Sequence, residues 1–232
     1  MSLPLFYEKT LRQSSDLIQL NEDVSKHIIQ VLRMKTGALL ELTDGQGTVA
    51  MVEIIDDHRK KCIVKKQFSQ FFYPRPYPVA IAISPVKNTG RFEWFLEKAT
   101  EIGVSEIIPL MCTRTERQQF KYERFNHILI SAMLQSGQSY LPMLREPMPF
   151  ESIVTASDFS TKLIAHCNED NTKVSIKSIN ANTLVMIGPE GDFTEEEISL
   201  SFSNGFTPVS LGTNRLRTET AGVVAATMLC LT

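Results

Sequence analysis

The sequence of 232 residues predicts an α/β protein in which a β-rich domain precedes a larger domain with a mainly parallel sheet. Roughly the first 70 residues hold short β-type runs separated by turn signals. After Pro76, apolar runs alternate with amphipathic stretches, as in α/β domains. Between them, Phe71–Pro78 has three prolines at alternate positions, which regular helix excludes and strand tolerates poorly. We therefore predict one domain at 1–73 and a second at 74–232.

The first domain is predicted to be a small β-barrel. Its β-type runs are Leu39–Thr43, Thr48–Ile55 and Lys61–Lys65. The Asp44-Gly45 pair between the first two runs is a strong hairpin signal, and a barrel is the natural way to close such strands. One short helix is expected over His27–Met34, with Ile28, Val31 and Leu32 on its apolar face.

The second domain is predicted to alternate strands and helices. Strands are expected at Val79–Ile83, Ile107–Leu110, Lys162–Cys167, Leu184–Ile187 and Thr207–Leu211. The first of these is continuously apolar, which is typical of a strand buried on both faces. Helices are expected over Arg91–Gly103, Tyr122–Gln135 and Ala221–Leu231 and after Thr194. Gly103 suits a C-cap, and Thr194 with Glu197 forms a capping box.

The bulk composition excludes several classes of protein. A net charge of −2 gives no global field for nucleic acid, although Lys and Arg outnumber Asp and Glu by eleven to nine up to Arg75. The four cysteines are scattered, so neither a disulfide framework nor a zinc site is expected. No two of the four histidines have metal-ligand spacing. With no apolar run near the roughly 18 residues of a membrane span, we expect a cytoplasmic protein without metal or membrane partner.

Two loops near the C-terminus are the best candidates for a binding site. Gly188-Pro189-Glu190-Gly191 follows one predicted strand, and Leu211–Ala221 follows the next. Strand-to-helix turns at one edge of a parallel sheet are where open α/β proteins bind ligands, so we expect the two loops side by side as walls of one pocket. The glycines permit close approach of a ligand and a positive φ. A simple turn is the alternative, and the GxGxxG and P-loop patterns for dinucleotides and triphosphates are absent.

Charged residues around these loops admit two interpretations each. In the second loop Thr218 suits an N-cap and Glu219 the positive end of a helix, but neither explains Arg217, which could meet a phosphate or a carboxylate. His166, after a predicted strand, could point into the pocket. The spacing of Arg117, Lys121 and Arg124, with Arg114 just before, predicts one basic helix face. That face is either solvated or follows a phosphate backbone.

These motifs together resemble a known family. Gly188–Gly191 with Leu211-Gly212 and Leu216–Ala221 resembles the signature of SPOUT-superfamily methyltransferases. More narrowly it is similar to the bacterial RsmE family, the 16S ribosomal RNA uridine-N3 methyltransferases. Glu97–Val104 resembles that family's KATELGV segment and Gln135-Ser136-Gly137 its QSGR segment. His27 through Gly37 resembles its HxxxVLRMKxGD segment.

The resemblance implies a PUA-like barrel that helps to bind RNA and a second domain tied in a trefoil knot. S-adenosylmethionine would bind between the two loops of a homodimer. The substrate would be one uridine of 16S ribosomal RNA, within the assembled small subunit. The implied cofactor-binding residues are Gly188, Pro189, Glu190, Gly191, Leu211, Gly212, Leu216, Thr218, Thr220 and Ala221. Arg217 would lie nearest the developing negative charge, and Glu219 would be an orienting or basic group. RNA would contact Arg33, Lys87, Arg114, Arg117, Lys121 and Gln138.

Two positions depart from the family pattern on the RNA side. The segment Ser2–Tyr7 lacks the arginine usual near the start, and Gln138 replaces an arginine. Arg12 or the basic helix face would compensate. The alternatives are a non-catalytic RNA-binding assembly factor and a SPOUT enzyme acting on another RNA, such as transfer RNA.

Overall fold

The computed structural model of the chain describes residues 3–116, 119–168, 173–176 and 181–231. These residues fall into two compact units. The first unit holds the residues up to Pro74 together with Met133–Leu141, and the second holds Arg75–Ala132 and the residues from Pro142 onwards. In the described parts of the chain, no helix is long and apolar enough to cross a membrane.

The first unit is built on one five-stranded sheet. Its strands are β1 (Leu5–Tyr7), β2 (Leu17–Gln19), β3 (Leu39–Thr43), β4 (Thr48–Asp56) and β5 (Ile63–Phe71). They are ordered β1-β3-β4-β5-β2. The predicted hairpin is confirmed, since β3 and β4 are antiparallel with Leu40 opposite Val52. In its turn the Asp44 Oδ1 accepts the N–H groups of Gln46 and Thr48, at 2.7 and 3.0 Å, which closes the turn.

The single helix predicted to begin at His27 is wrong. The chain forms α1 (Glu22–Lys26) followed by one π-helical turn (His27–Val31). The wider turn, in which the Leu32 N–H donates to the His27 carbonyl at 2.9 Å, breaks the spacing of three and four residues that would share a face. Only Ile28 of the predicted apolar face is therefore buried, whereas Val31 and Leu32 are 66% and 43% exposed.

The second unit has a sheet of eight strands, and the prediction of a mainly parallel sheet is confirmed. The strands are β6 (Val79–Ile83), β7 (Glu106–Met111), β8 (Met143–Leu144), β9 (Met148–Pro149), β10 (Thr161–Ala165), β11 (Val174–Ser175), β12 (Thr183–Ile187) and β13 (Thr207–Ser210). Their order is β11-β13-β10-β12-β6-β7-β8, and β9 also pairs with β7. Every pair is parallel. The short strands β8, β9 and β11 were not predicted, because two-residue strands leave no periodic pattern.

Helices cover both faces of this sheet. They are α2 (Thr89–Ile102), α3 (Tyr122–Ser136), α4 (Phe150–Ala156), α5 (Glu195–Ser203) and α6 (Thr218–Cys230). Every residue of β6 and β12 is buried, which confirms the interpretation of the apolar run at Val79–Ile83. Ala80 packs in a cluster with residues of α4 and α5, while Ile83, on the opposite face, meets α6. Alternate side chains of one strand thus serve two layers.

Helix ends follow the predicted signals. Gly103 ends α2 with φ +94°, and the Val104 N–H donates to the Ala99 carbonyl at 3.0 Å, as in a Schellman motif. The capping box at the start of α5 is present, with the Glu197 N–H donating to Thr194 Oγ1 at 3.2 Å. Asn88 was not predicted as the cap of α2, although its side chain accepts from the Arg91 N–H.

The prediction that Arg117, Lys121 and Arg124 share one helix face is wrong for Lys121. Helix α3 begins at Tyr122, so Lys121 precedes it, and Arg117 lies outside the described residues. The Phe120 ring packs on Phe125 at 4.8 Å, a contact between residues five apart that a continuous helix would not make. This contact agrees with a helix that begins after Lys121.

Gly222 allows α6 to pack closely on the sheet, and this gives a test of the packing. A Cβ at Gly222 would lie 2.6 Å from Phe95 Cε2 and 2.8 Å from Ile83 Cδ1. We expect Gly222→Val to lower the free energy of unfolding by about 2–3 kcal/mol through overpacking, as measured by urea denaturation. Gly90→Ala is the matched control, because its helical site is open to 3.4 Å. It should raise stability by up to about 1 kcal/mol, and equal effects of the two variants would contradict this packing.

Candidate functional site

A cavity of about 400 Å³ lies at the carboxyl ends of the parallel strands. Strands β13, β10 and β12 are neighbours in that order, with Ala165 of β10 level with Ile187 of β12. The strands that lead into the two loops are therefore not adjacent, because β10 runs between them. The reason is topological: the chain leaving β12 passes β10 before it forms β13. The end of β10 consequently contributes His166 and Cys167 to the cavity wall.

The second loop forms most of the cavity wall. Among the predicted cofactor-binding residues, those that line the cavity are Leu211, Gly212, Leu216 and Ala221. Gly212 has φ +134° and a Cβ there would meet nothing within 4 Å, so the glycine serves the backbone conformation. The wall thus combines apolar side chains with exposed backbone, which is the usual lining of a small-molecule site.

The first loop lies outside the cavity lining and supports it. Neither Gly188 nor Gly191 takes the left-handed backbone that glycine permits, whereas Asp192 does, with φ +64°. A Cβ at Gly188 would lie 3.1 Å from the Phe193 ring, so a larger residue there would pack tightly against Phe193. The Asp192 Oδ2 accepts the Cys167 N–H at 2.7 Å, which ties the loop to the end of β10.

Other side chains also hold this loop. The Glu190 Oε1 accepts the backbone N–H of Lys87 at 3.1 Å, and so connects the loop to the segment after β6. The Arg114 guanidinium donates to the carbonyls of Gly191 and Phe193 at 2.8 and 3.3 Å. The loop is thus held by the distant Arg114 side chain and by its own Glu190 side chain, which bonds to the segment after β6.

One buried hydrogen bond joins the two loops. The Thr218 hydroxyl donates to the Gly188 carbonyl at 3.0 Å. The prediction that Thr218 is the N-cap of α6 is therefore wrong: Arg217 is the N-cap, and Thr218 is the first helical residue. Its hydroxyl therefore points away from its own helix and donates to the Gly188 carbonyl of the neighbouring loop. Thr220, two residues further along the helix, is partly buried.

Arg217 places an exposed cation at the N-terminus of α6. Its guanidinium makes no hydrogen bond or ion pair with any residue that the structure describes, while its carbonyl accepts the Ala221 N–H at 2.8 Å. The first N–H groups of a helix carry a positive partial charge. Arg217 and the helix start therefore form one electropositive point beside the second loop.

Glu219 faces away from the cavity. Its carboxylate is only 6% exposed, and its Oε1 lies 3.7 Å from Nε of Arg91 in the first turn of α2. Glu219 and the cavity-lining Ala221 lie about 200° apart around the helix axis. Arg91 was not predicted near the site, because an arginine in the first turn of a helix ordinarily lies in solvent and the sequence carries no other signal for it.

The remaining predicted RNA contacts lie in both units. Arg33 is exposed with φ +55°, directly after the π-helical turn, and Gln138 follows the helix-ending Gly137. Lys87 Nζ lies 3.1 Å from Glu116 Oε2 and stays largely exposed. Lys121 is also exposed.

The electrostatics of the cavity involve the exposed Cys167. Partial burial raises the pKa of its thiol above the ordinary value, and the Asp192 carboxylate adds to this. Lys173 Nζ donates to the carbonyls of His166 and Asn168 at 2.7 and 2.6 Å, and so closes the far side of the wall. No cluster of His, Cys, Asp and Glu that could hold a metal occurs among the described residues.

Comparisons with known proteins agree on one family. A family model described as an RNA methyltransferase domain matches residues 73–230, and one described as an RNA methyltransferase PUA domain matches residues 20–67. The chain is 32% identical over 209 residues to ribosomal RNA small subunit methyltransferase E of Synechocystis sp., covering 86% of this chain and 68% of that protein.

Solved structures show the same similarity over nearly the full chain. A probable rRNA-methyltransferase from Porphyromonas gingivalis is 38% identical, with a TM-score of 0.88 over 97% of this chain and 95% of that one. Ribosomal RNA small subunit methyltransferase E from Neisseria gonorrhoeae, bound to S-adenosyl methionine, is 27% identical. Its TM-score is 0.85 over 97% and 95% of the two chains.

The bond between the two loops can be tested by removing its donor. Thr218→Val keeps the side-chain shape but leaves the buried Gly188 carbonyl without its partner. We expect a loss of about 1–3 kcal/mol in the free energy of unfolding, measured by urea denaturation. Thr220→Val, two residues further along α6, is the matched control, and we expect it to change the free energy of unfolding by no more than about 0.5 kcal/mol. A Thr218→Val protein as stable as the control would show that the bond does not hold the loops together.

Proposed function

The chain belongs to the RNA methyltransferase family that includes ribosomal RNA small subunit methyltransferase E, and from this premise we propose that it methylates N3 of a uridine in 16S ribosomal RNA. The methyl donor in this proposal is S-adenosylmethionine. The main observation in support of this proposal is the cavity beside residues 211–216, at the carboxyl ends of the parallel strands. That is the edge at which α/β proteins bind their ligands.

The cavity fits the cofactor in size and chemistry. A volume of about 400 Å³ falls in the usual range for small-molecule sites. Leu211, Leu216 and Ala221 would pack on the adenosine, with backbone groups of the loop reading its edge, and Arg215 would meet the carboxylate. We propose that Gly188–Gly191 acts mainly through Thr218, by fixing where α6 begins.

The chain's own residues then favour the reaction by positioning and charge. When bound, S-adenosylmethionine supplies a methyl group that its sulfonium charge already activates. Arg217 and the first N–H groups of α6 would stabilise the negative charge that develops on the uracil as the N3 proton leaves. We propose Glu219 as an orienting group, which holds Arg91 beside the helix start. Because N3 is on the base-pairing edge, the uridine must be unpaired or flipped out.

Architecture beyond the described contacts is also part of the proposal. We propose that the first unit is a PUA-like barrel for RNA and that the chain after β12 is threaded into a trefoil knot, which the order β13-β10-β12 would permit. We propose a homodimer through α6, because its sequence is apolar on all sides and Val223 and Val224 are only partly buried. The assembled small subunit in the cytoplasm is the proposed substrate.

Substitution of Arg217 tests the proposed chemistry. Arg217→Ala should lower methyl transfer to small subunits lacking the modification by about 100-fold, the scale of losing one stabilising group, with cofactor affinity unchanged. Arg217→Lys should retain part of the rate. The measurement is nucleoside mass spectrometry of the treated RNA, with calorimetry for cofactor binding.

The control for this variant is Lys98→Ala, which removes a cation that Glu97 and Glu101 already pair. Near-normal rates for Arg217→Ala would refute its role. A protein that binds subunits without methylating them would instead be an assembly factor, and a modified nucleoside found only in transfer RNA would move the substrate to another RNA.

Cys167 allows the cofactor site to be located directly. It lines the cavity and is exposed, while Cys62 and Cys112 are buried. We expect S-adenosylhomocysteine to protect Cys167 from iodoacetamide, followed by peptide mass spectrometry. Since the pKa of the thiol is raised, the thiolate is scarce at neutral pH and labelling should accelerate as the pH rises. Equal labelling with and without the nucleoside would place the cofactor elsewhere.

A further inference from the structure

An exposed cluster of rings lies at the end of β5 in the first unit. We call it the aromatic platform, and its members are Arg12, Phe71, Phe72, Tyr73 and Tyr140. The Arg12 guanidinium carbon lies 5.3 Å over the Phe71 ring. The Tyr73 ring meets Phe71 edge-on, with 5.3 Å between centroids and 86° between planes. One face of Phe71 is thus occupied by the cation, while Tyr73 is 85% exposed.

Hydrogen bonds to distant segments hold this platform in place. Lys66 Nζ donates to the Ser14 carbonyl at 2.9 Å, and so fixes the segment that carries Arg12. The Phe72 N–H donates to the Gly47 carbonyl at 2.8 Å, and the Gly47 N–H donates to the Ser139 carbonyl at 2.9 Å. These contacts order the chain on both sides of the rings before any partner binds.

Gly47 is needed for this arrangement. It has φ +95°, and the Tyr140 hydroxyl crosses above it to donate to the Phe72 carbonyl at 2.9 Å. A Cβ at Gly47 would collide with that hydroxyl and would lie 2.5 Å from the carbonyl. The platform is therefore held in one conformation, because Gly47 leaves room for the Tyr140 hydroxyl to reach the Phe72 carbonyl at the end of β5.

The charge on the platform indicates the kind of partner. The Arg12 guanidinium forms no ion pair with any residue in the described parts of the chain. The neighbouring Asp44 carboxylate is buried at 2% exposure and is turned inward to the turn that it closes. Burial and, next, the Asp44 carboxylate raise the pKa of the Tyr140 hydroxyl, and Arg12 lowers it. An open ring beside an uncompensated cation suits a base with its phosphate.

We propose that the aromatic platform stacks an unpaired base of the RNA, with Tyr73 as the stacking ring and Arg12 beside the phosphate backbone. This inference rests on the proposed function, because it takes RNA to be the substrate. A single-stranded base offers a π-face to any aromatic ring, whereas a paired base does not. Arg12 then supplies a cation to an RNA-facing unit in which Gln138 stands where the family carries an arginine.

The test compares variants of the full chain in binding a labelled, uridine-rich single-stranded RNA and the same sequence as a duplex. Tyr73→Ala should weaken single-strand binding by about ten-fold, the scale of one base–aromatic stack, and Tyr73→Trp should restore it. Duplex binding should be unchanged. The matched control is Phe68→Ala, because Phe68 is an exposed ring on β5 that pairs with Met51 and so lies on the opposite face from Phe71, which pairs with Thr48.

Arg12→Ala tests the phosphate contact through the salt dependence of RNA binding, which would not change if Arg12 only supported the fold. Loss of one phosphate contact should reduce the slope of log affinity against log salt by about 0.7 for single strands. An unchanged slope would remove Arg12 from the RNA contact.

Parallel measurements separate this inference from the proposed function. Cofactor binding and methylation of small subunits are measured for the wild type, and oligomeric state by light scattering for Tyr73→Ala. If the wild type methylates subunits and Tyr73→Ala binds single strands normally, the platform inference is wrong and the function stands. A change of oligomeric state with normal RNA binding would make the platform a protein contact and also overturn it. If the wild type does not methylate subunits but Tyr73→Ala still weakens binding of single-stranded RNA, the proposed function is wrong and the platform inference is supported.

Discussion

The geometry of the second unit depends on where α6 begins. The Thr218 hydroxyl fixes that point by donating to the Gly188 carbonyl, so the end of β12 and the start of the last helix are joined in the interior. Gly222 then lets the helix lie close to β6 and α2, which no larger residue would permit. Because Ala221 and Gly222 lie on different sides of one helix turn, seating Gly222 on the sheet presents Ala221 to the cavity. Packing and site geometry are thus two consequences of the same placement.

Much of the second unit could be predicted because its signals are local. The apolar run at Val79–Ile83, the C-cap at Gly103 and the capping box at Thr194 each specify a strand or a helix end within a few residues, and each is confirmed. The order of the strands is not local, and the sequence did not indicate that β10 lies between the two strands that lead into the loops. No pattern in either loop tells that β10 separates them, so Cys167 was not considered as part of the cavity.

The predictions that were wrong share a physical cause. Thr218 has the composition of an N-cap, but its hydroxyl is worth more to a buried carbonyl of another loop than to its own helix. Asp192 takes the left-handed backbone beside two glycines, because its carboxylate is held by the Cys167 N–H. In both cases a tertiary partner decided between conformations that the local sequence left open. The π-helical turn that begins at His27 is a separate case, because the spacing rule for α-helices does not predict it.

Net charge is a poor guide to how this chain would meet RNA. The overall charge of −2 includes acidic residues that are paired or buried, such as Glu219 with Arg91 and Asp44 in its turn. Arg12 and Arg217, which form no ion pair with a described residue, are in different units, and each lies beside a feature that we propose to recognise a base or its charge. A polyanion responds to such local, uncompensated charge within about 10 Å, the screening length of a dilute salt solution. Recognition by this chain is therefore expected to depend on a few placed cations with rings or helix ends beside them, and to tolerate an acidic remainder of the surface.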